Sequence, residues 1–403
     1  MPAFAAPRPP AASVVQQALR LMRHPSLFLW AMFVLAIPFY IFPSGLPQPG
    51  DALLIPLAVF TLMGWRGRLN THSARTLRAL MLFTGWVLTV DWGWALMLGN
   101  FGLFGKETFL LFPVYYVYNT LVFLVVCVLY ERHRERFLWL TLHVVLLSVL
   151  MQVAASLIVP SKSFRGIGFF NNPNQLGFYA LVSASVLALG KRNLGFGSLK
   201  SGLGLTSCLY LALISASRAA VVGIGILFVL SLISSPKRIF VASLALLALV
   251  SIGGPIADAI DSTQQRLSAD RFPEMNFFQE RGYDRILAHK EYWLLGAGEG
   301  GTDRFAATTM IGATEVHSSA GTIFFSYGIV GVFLFLGFLT RVVRGAGLRS
   351  MLYLAPTISY TFAHQGLRST SFWILFALFV AVKHLDIAKR TAPRSALTLG
   401  ATA

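Results

Sequence analysis

The chain is 403 residues long, 56% hydrophobic and only 12% charged. A soluble domain carries about twice that charge, so an ordinary soluble globular protein is excluded. The formal net charge of +17 would suit a nucleic-acid binder, but the basic residues fall in short clusters between apolar runs, which is the pattern of a polytopic membrane protein.

Residues 1–26 are Ala/Pro-rich and then basic, without the apolar core of a cleavable signal, so the first apolar segment is expected to act as its own insertion signal. Twelve apolar segments follow, centred on 27–42, 52–65, 79–98, 108–130, 137–159, 175–190, 201–215, 219–234, 239–257, 318–340, 351–365 and 371–384. Crossing a bilayer takes about 20 residues. The second, sixth, seventh and eleventh fall short and are expected to tilt or to adjoin re-entrant backbone. Cys127 and Cys208 lie inside apolar segments with no CxxC spacing, which implies neither a disulfide nor a metal site.

With the N-terminus placed inside, 22 of the 33 Lys and Arg residues fall on the inner side, in every inner loop and in the tail. The predicted organisation is a cytoplasmic segment over 1–26, nine spans over 27–257, an outer loop over 258–316, three spans over 317–386 and a cytoplasmic tail over 387–403. The outer loop holds 10 of the 16 acidic residues, so it has the charge of a solvated domain. Within it, residues 281–293 (RGYDRILAHKEYW) alternate in a helix-like way, with Tyr283, Ile286, Leu287 and Tyr292 as an apolar face. One or two short helices on the outer membrane face are expected. No internal repeat is visible, which weakens a transporter reading.

Several polar residues stand out on the outer side. Arg165 lies in PSKSFRGIGFFNNPNQLG, whose Gly, Pro and Asn residues mark an irregular turn of the kind tolerated at membrane depth where it lines a polar cavity. Its guanidinium fork suits phosphate oxygens, and snorkelling to lipid headgroups is the alternative. Arg218, in SASRAA, is the only charge between Lys200 and Lys237 and sits close to the hydrocarbon edge. An isolated arginine there costs several kcal/mol unless paired or hydrated, and a bound anion would supply the pairing. Arg368 occupies a similar tight turn with no other signal beside it.

Arg281 and Arg285 are four residues apart and would share a helix face. They could clamp an anion, or pair locally with Glu280, Asp284 and Glu291. Gly296–Gly301 (GAGEGG) fits a GxGxxG spacing but lacks the strand and helix of a dinucleotide fold; a flexible turn returning the loop to the membrane is the better reading. His317 stands where the outer loop meets the tenth segment. Its side chain titrates near neutrality and could accept a proton from a hydroxyl, or simply cap the helix beside Ser318 and Ser319.

These residues also carry a resemblance. His317, Ser318, nine residues, Gly328, two residues and Gly331 resemble the H[NSQ]-x9-GxxG signature of bacterial O-antigen ligases. The SASRAA turn, the FRGIGFFNNPNQLG stretch and the ERGYDR…LLGAGEGG run are similar to arginine-bearing outer segments of the wider ligase and polymerase superfamily. The resemblance covers roughly residues 160–340. It implies an all-α glycosyltransferase of about twelve transmembrane helices in the bacterial inner membrane, active on the periplasmic face. Such an enzyme moves O-antigen from undecaprenyl pyrophosphate to a sugar hydroxyl of lipid A–core, without metal, nucleotide or other cofactor. It further implies His317 and Arg218 as catalytic residues, with Arg165, Arg281 and Arg285 binding the pyrophosphate. The partners are then the lipid-linked donor, the lipid acceptor and membrane lipids. A monomer is compatible with the chain.

Three rivals remain open. An O-antigen polymerase would use a second lipid-linked repeat unit as acceptor. A protein O-oligosaccharyltransferase would carry a longer soluble region after its last span. A twelve-span transporter would carry charges deep in several spans, whereas only Asp91, beside Trp92 and Trp94, stands mid-span here.

Overall fold

The computed structural model describes residues 14–43, 46–102, 108–158, 165–194, 196–232, 277–305 and 315–391. The predicted ninth span, and the parts 258–276 and 306–314 of the predicted outer loop, lie outside the described residues. Among the described residues the long regular elements are all helices: α1 Val14–Leu21, α2 Pro25–Ala36, α3 Leu54–Leu62, α4 Thr71–Leu98, α5 Leu111–His133, α6 Glu135–Ile158, α7 Pro173–Leu194, α8 Ser198–Ile214 and α9 Arg218–Leu232. After them come α10 Phe277–Glu280, α11 Asp284–Ala288, α12 Ser319–Val343, α13 Leu348–Met351, α14 Ala355–Ala363 and α15 Thr370–Thr391. Four of them, α4, α5, α6 and α12, are long and apolar enough to cross a membrane. The protein is therefore an all-α protein of the membrane-embedded kind.

Local chemistry sets several ends. Asn70 caps α4, its side-chain oxygen accepting from the Ser73 amide at 2.9 Å. Helix α2 stops at Ala36, just before Pro38, which has no amide to donate. Of the four segments expected to fall short, the sixth becomes the 22-residue α7 and the seventh the 17-residue α8, whereas the second and eleventh are short. The second resolves into a 3-10 turn, Pro49–Leu53, followed by the nine-residue α3, and the eleventh into the nine-residue α14. Nine residues rise about 13 Å, less than half the thickness of a hydrocarbon core.

Helix α12 packs along α4, α15 against α5 and α7, and α7 against α6, α8 and α9. Aromatic rings fill the centre, with Tyr116 edge-to-face on Tyr327 at 5.7 Å and Phe83 on Tyr327 at 6.2 Å. Such pairs contribute about 0.5–1.5 kcal/mol each beyond their burial. A second, smaller core of Ile286, Ala297, Phe305, Val316 and Phe325 seats the 277–305 segment on the first half of α12.

Two sequence expectations for that segment need correction. The short helices are present, but a turn over 281–283 separates α10 from α11. Arg281 therefore lies outside the helix that carries Arg285, and the two do not share its face. Nor do the four apolar residues form one face: Ile286 is buried, while Leu287 points to the outside.

Candidate functional site

The turn between α8 and α9 is built by three segments. Ala216 adopts a left-handed backbone, with φ +48°, a conformation that costs a non-glycine residue about 1 kcal/mol or more. Its neighbours hold it there. Arg165 is buried; its Nε donates to Ser215 O at 2.9 Å, and its Nη2 donates to Asn174 Oδ1, also at 2.9 Å. The Gly166 amide donates to Ile214 O at 2.7 Å. Arg165 thus fastens the turn to the start of α7. The result presents Arg218 as the exposed first residue of α9. The ion pairs among the described residues do not include Arg218. A cation at the positive end of a helix dipole is ill-placed unless an anion joins it.

Gly177 in α7 lets this turn approach. A β-carbon there would lie 2.7 Å from Ser217 Cβ and 2.8 Å from Ser215 Oγ. Gly177→Ala is therefore expected to destabilise the protein by about 1–3 kcal/mol through overpacking, read as a lower melting temperature in detergent. An unchanged melt would show that the turn does not sit against α7.

The entrance of α12 is tied to two other segments. Ser318 caps it, accepting from the Gly321 amide at 3.1 Å. The Ser318 hydroxyl also meets the Tyr283 hydroxyl at 2.6 Å, and Tyr283 donates to Phe362 O at the end of α14. The His317 amide donates to Arg281 O at 3.0 Å. The His317 side chain remains exposed on this junction. Neighbouring protein covers part of the ring, and this partial desolvation, with the charge of Arg281 added, holds its pKa below the ordinary histidine value.

Tyr360 joins the two clusters. Its hydroxyl donates to Asn174 O at 3.2 Å and lies beside Ser217, and the ring is within electrostatic reach of both Arg165 and Arg281. Hydrogen bonds therefore join His317 to Arg281, and Tyr360 to Arg165 and the Arg218 turn through Asn174, and Arg281 lies within electrostatic reach of Tyr360 between them. Four of the five predicted site residues belong to this set.

Arg285 is placed differently. It is buried, with its guanidinium 5.3 Å from the Phe305 ring centre and 5.7 Å from that of Phe325. Burial pulls its pKa down, against the pull of Asp284 and Glu315. It lines a separate cleft together with Glu299, Glu315 and Arg368. Its charge reaches His317, so the two regions adjoin.

Sequence reading missed the most elaborate feature. Helix α12 is interrupted at Gly328, whose φ of 65° and ψ of −171° are open only to glycine. The 293–300 segment inserts at this break. The amides of Ala297 and Gly298 donate to Phe325 O and Ser326 O, each at 2.9 Å, and the Ile329 amide donates to Trp293 O at 2.7 Å. Trp86 Nε1 donates to Tyr327 O at 2.8 Å. The backbone groups freed by the break are thereby satisfied, as low-dielectric surroundings demand.

The GAGEGG run is consequently a buried, tightly fitted loop, not the flexible turn expected of it. A β-carbon at Gly296 would overlap Ser326 O. Trp94 Nε1 donates to Gly296 O at 3.1 Å, and Arg304 Nη2 to Ala297 O at 2.7 Å. Asp91, the lone mid-span acid, accepts from the Glu299 amide at 2.6 Å. The Glu299 carboxylate accepts from the hydroxyls of Tyr327 at 2.9 Å and Tyr116 at 3.1 Å, and from Arg368. Arg368 reaches Glu315 with its other terminal nitrogen at 2.8 Å. Burial alone would lower the Arg368 pKa; Glu299 and Glu315 outweigh it and raise the value. The only sequence signals for this network were an acid where none belonged and an arginine in a tight turn.

Among the described residues no three His, Cys, Asp or Glu side chains gather as a metal-ligand set. No family model and no curated protein matches the chain.

Proposed function

We propose that the chain is a membrane glycosyltransferase of the O-antigen ligase type. In this reading it has about twelve spans and both termini in the cytoplasm, and it works at the periplasmic face of a bacterial inner membrane. The donor is O-antigen on undecaprenyl pyrophosphate and the acceptor a sugar hydroxyl of lipid A–core. One observation carries the reading: His317, Arg281, Arg165 and Arg218, from four distant stretches of chain, are linked by hydrogen bonds at either end and by the electrostatic reach of Arg165 and Arg281 to Tyr360 between them. An imidazole that stays neutral at physiological pH, set among guanidinium groups, suits removal of a hydroxyl proton beside an anionic leaving group.

In the proposed step the acceptor oxygen attacks the anomeric carbon of the donor. The bond from that carbon to the pyrophosphate oxygen breaks, and the anomeric centre inverts. His317 takes the acceptor proton, and the electron pair leaves with the lipid pyrophosphate. Arg218, with the α9 amides behind it, faces the developing negative charge. Arg281 adds charge beside His317. Arg165 contributes its charge and holds the turn that aims Arg218. Arg285 acts from the adjoining cleft.

Transfer by purified protein, given lipid-linked glycan in the presence of EDTA, tests the proposal. Product on lipid A–core is expected. Product only on a second lipid-linked glycan would make the chain a polymerase, and no product on either would remove the enzymatic reading. Arg218→Lys keeps the charge but loses the planar fork, and transfer is expected to fall by at least about tenfold, because a preorganised donor at the leaving group is worth several kcal/mol. Wild-type rates in that variant would make Arg218 a structural residue.

A further inference from the structure

Arg368 holds two carboxylates of very different standing. Glu299 is buried, 6% exposed at its side chain, and hydrogen-bonded on all sides; Glu315 is 43% exposed and touches Arg368 through one nitrogen. Breaking the first pair would strand a buried charge, which is costly. Loosening the second costs little, because half-exposed ion pairs contribute about 0–1 kcal/mol. Glu315 also lies within electrostatic reach of Arg285, and all four side chains line the same cleft. One half-exposed carboxylate is therefore ion-paired with Arg368 and within electrostatic reach of Arg285, two guanidinium groups that the fold fixes in place. Arg285 is held by the aromatic rings of Phe305 and Phe325, and Arg368 by Glu299 and by the Phe112 ring at 4.4 Å.

We propose that Glu315 is a built-in stand-in for a substrate phosphate, which displaces it and binds between Arg368 and Arg285. The ligand is a phosphate or pyrophosphate ester, and on the glycosyltransferase reading, on which this rests, it belongs to the lipid-linked donor. Glu315, which it displaces, precedes His317 by two residues. Arg368 then becomes a substrate-binding residue, and Glu315 a competitor that keeps the cleft neutral until donor arrives.

The test is binding, independent of transfer. The full chain in detergent is titrated with inorganic pyrophosphate and, separately, with farnesyl pyrophosphate, by calorimetry. Glu315→Gln removes the competing charge and is expected to tighten binding about tenfold, consistent with a half-exposed pair plus relief of repulsion between two anions. Glu315→Asp keeps the competitor and is expected to bind like wild type. Tighter binding of both probes assigns the site to lipid-linked donor; tighter binding of the inorganic probe alone assigns it to released pyrophosphate. Equal or weaker binding by a folded Glu315→Gln protein overturns the proposal, as does binding of neither probe to either form. The glycosyltransferase reading would survive those results if the EDTA transfer assay still gave product.

Discussion

His317→Ala is expected to lower glycan transfer by about 10²–10⁴, the usual worth of general-base help, while the protein keeps its wild-type melting temperature. The fold should be indifferent because the side chain is exposed and the junction is held by other groups: the Arg281 carbonyl, the Ser318 hydroxyl and Tyr283. The pH dependence supplies a second check. A base works in its deprotonated form, so rate falls when pH drops through its pKa. Partial shielding from water and the Arg281 charge hold the His317 pKa below its usual value, about 6.5. The acid limb of the rate profile should therefore lie below pH of about 6.5. Arg281→Gln removes one cause of the depression and should move that limb upward. Near-normal transfer by folded His317→Ala would leave the reaction without its base and sink the assignment.

The helical character was legible because apolar runs broken by basic clusters admit few other structures. Helices α4, α5, α6 and α12 all overlap predicted spans. The short segments were legible as anomalies only. The sequence marks where apolar length runs out, but whether a gap becomes a 3-10 turn, as at Pro49–Leu53, or the open stretch after His364 depends on neighbours far away in the chain. The site divides in the same way. His317, Arg218 and Arg165 could be singled out because each is a polar residue at an apolar boundary, where burial has to be offset, and Arg281 because of its spacing to Arg285 in the outer loop. Arg285 looked equivalent to Arg281 by spacing, yet the turn over 281–283 sends one toward His317 and buries the other. Glu299 and Arg368 could not be paired from sequence, since 69 residues separate them. Asp91 carried the warning that something polar must meet it, and that partner proved to be the Glu299 amide.

Gly328→Ala is expected to destabilise the protein by more than about 3 kcal/mol, combining a backbone conformation closed to L-residues with a steric collision. The added β-carbon would overlap Leu294 O and come within 2.8 Å of the Gly296 amide nitrogen. Neither neighbour can retreat, because Ile329 N–H is bonded to Trp293 O and Ala297 N–H to Phe325 O on either side. Gly337, nine residues further along α12, is the internal control. Nothing lies within 4 Å of a β-carbon there, so Gly337→Ala should raise stability by about 0.5–1 kcal/mol through helix propensity alone. The two substitutions are chemically identical and occur in one helix, so the difference between their melting temperatures isolates the inserted loop. It also bears on function. The first half of α12 carries His317 at its entrance, and the loop is what fixes that half against Asp91, Glu299 and Arg368. If Gly328→Ala melts with Gly337→Ala, the break is not held by the loop. The GxxG portion of the His317 signature would then need a physical reason other than making room for it.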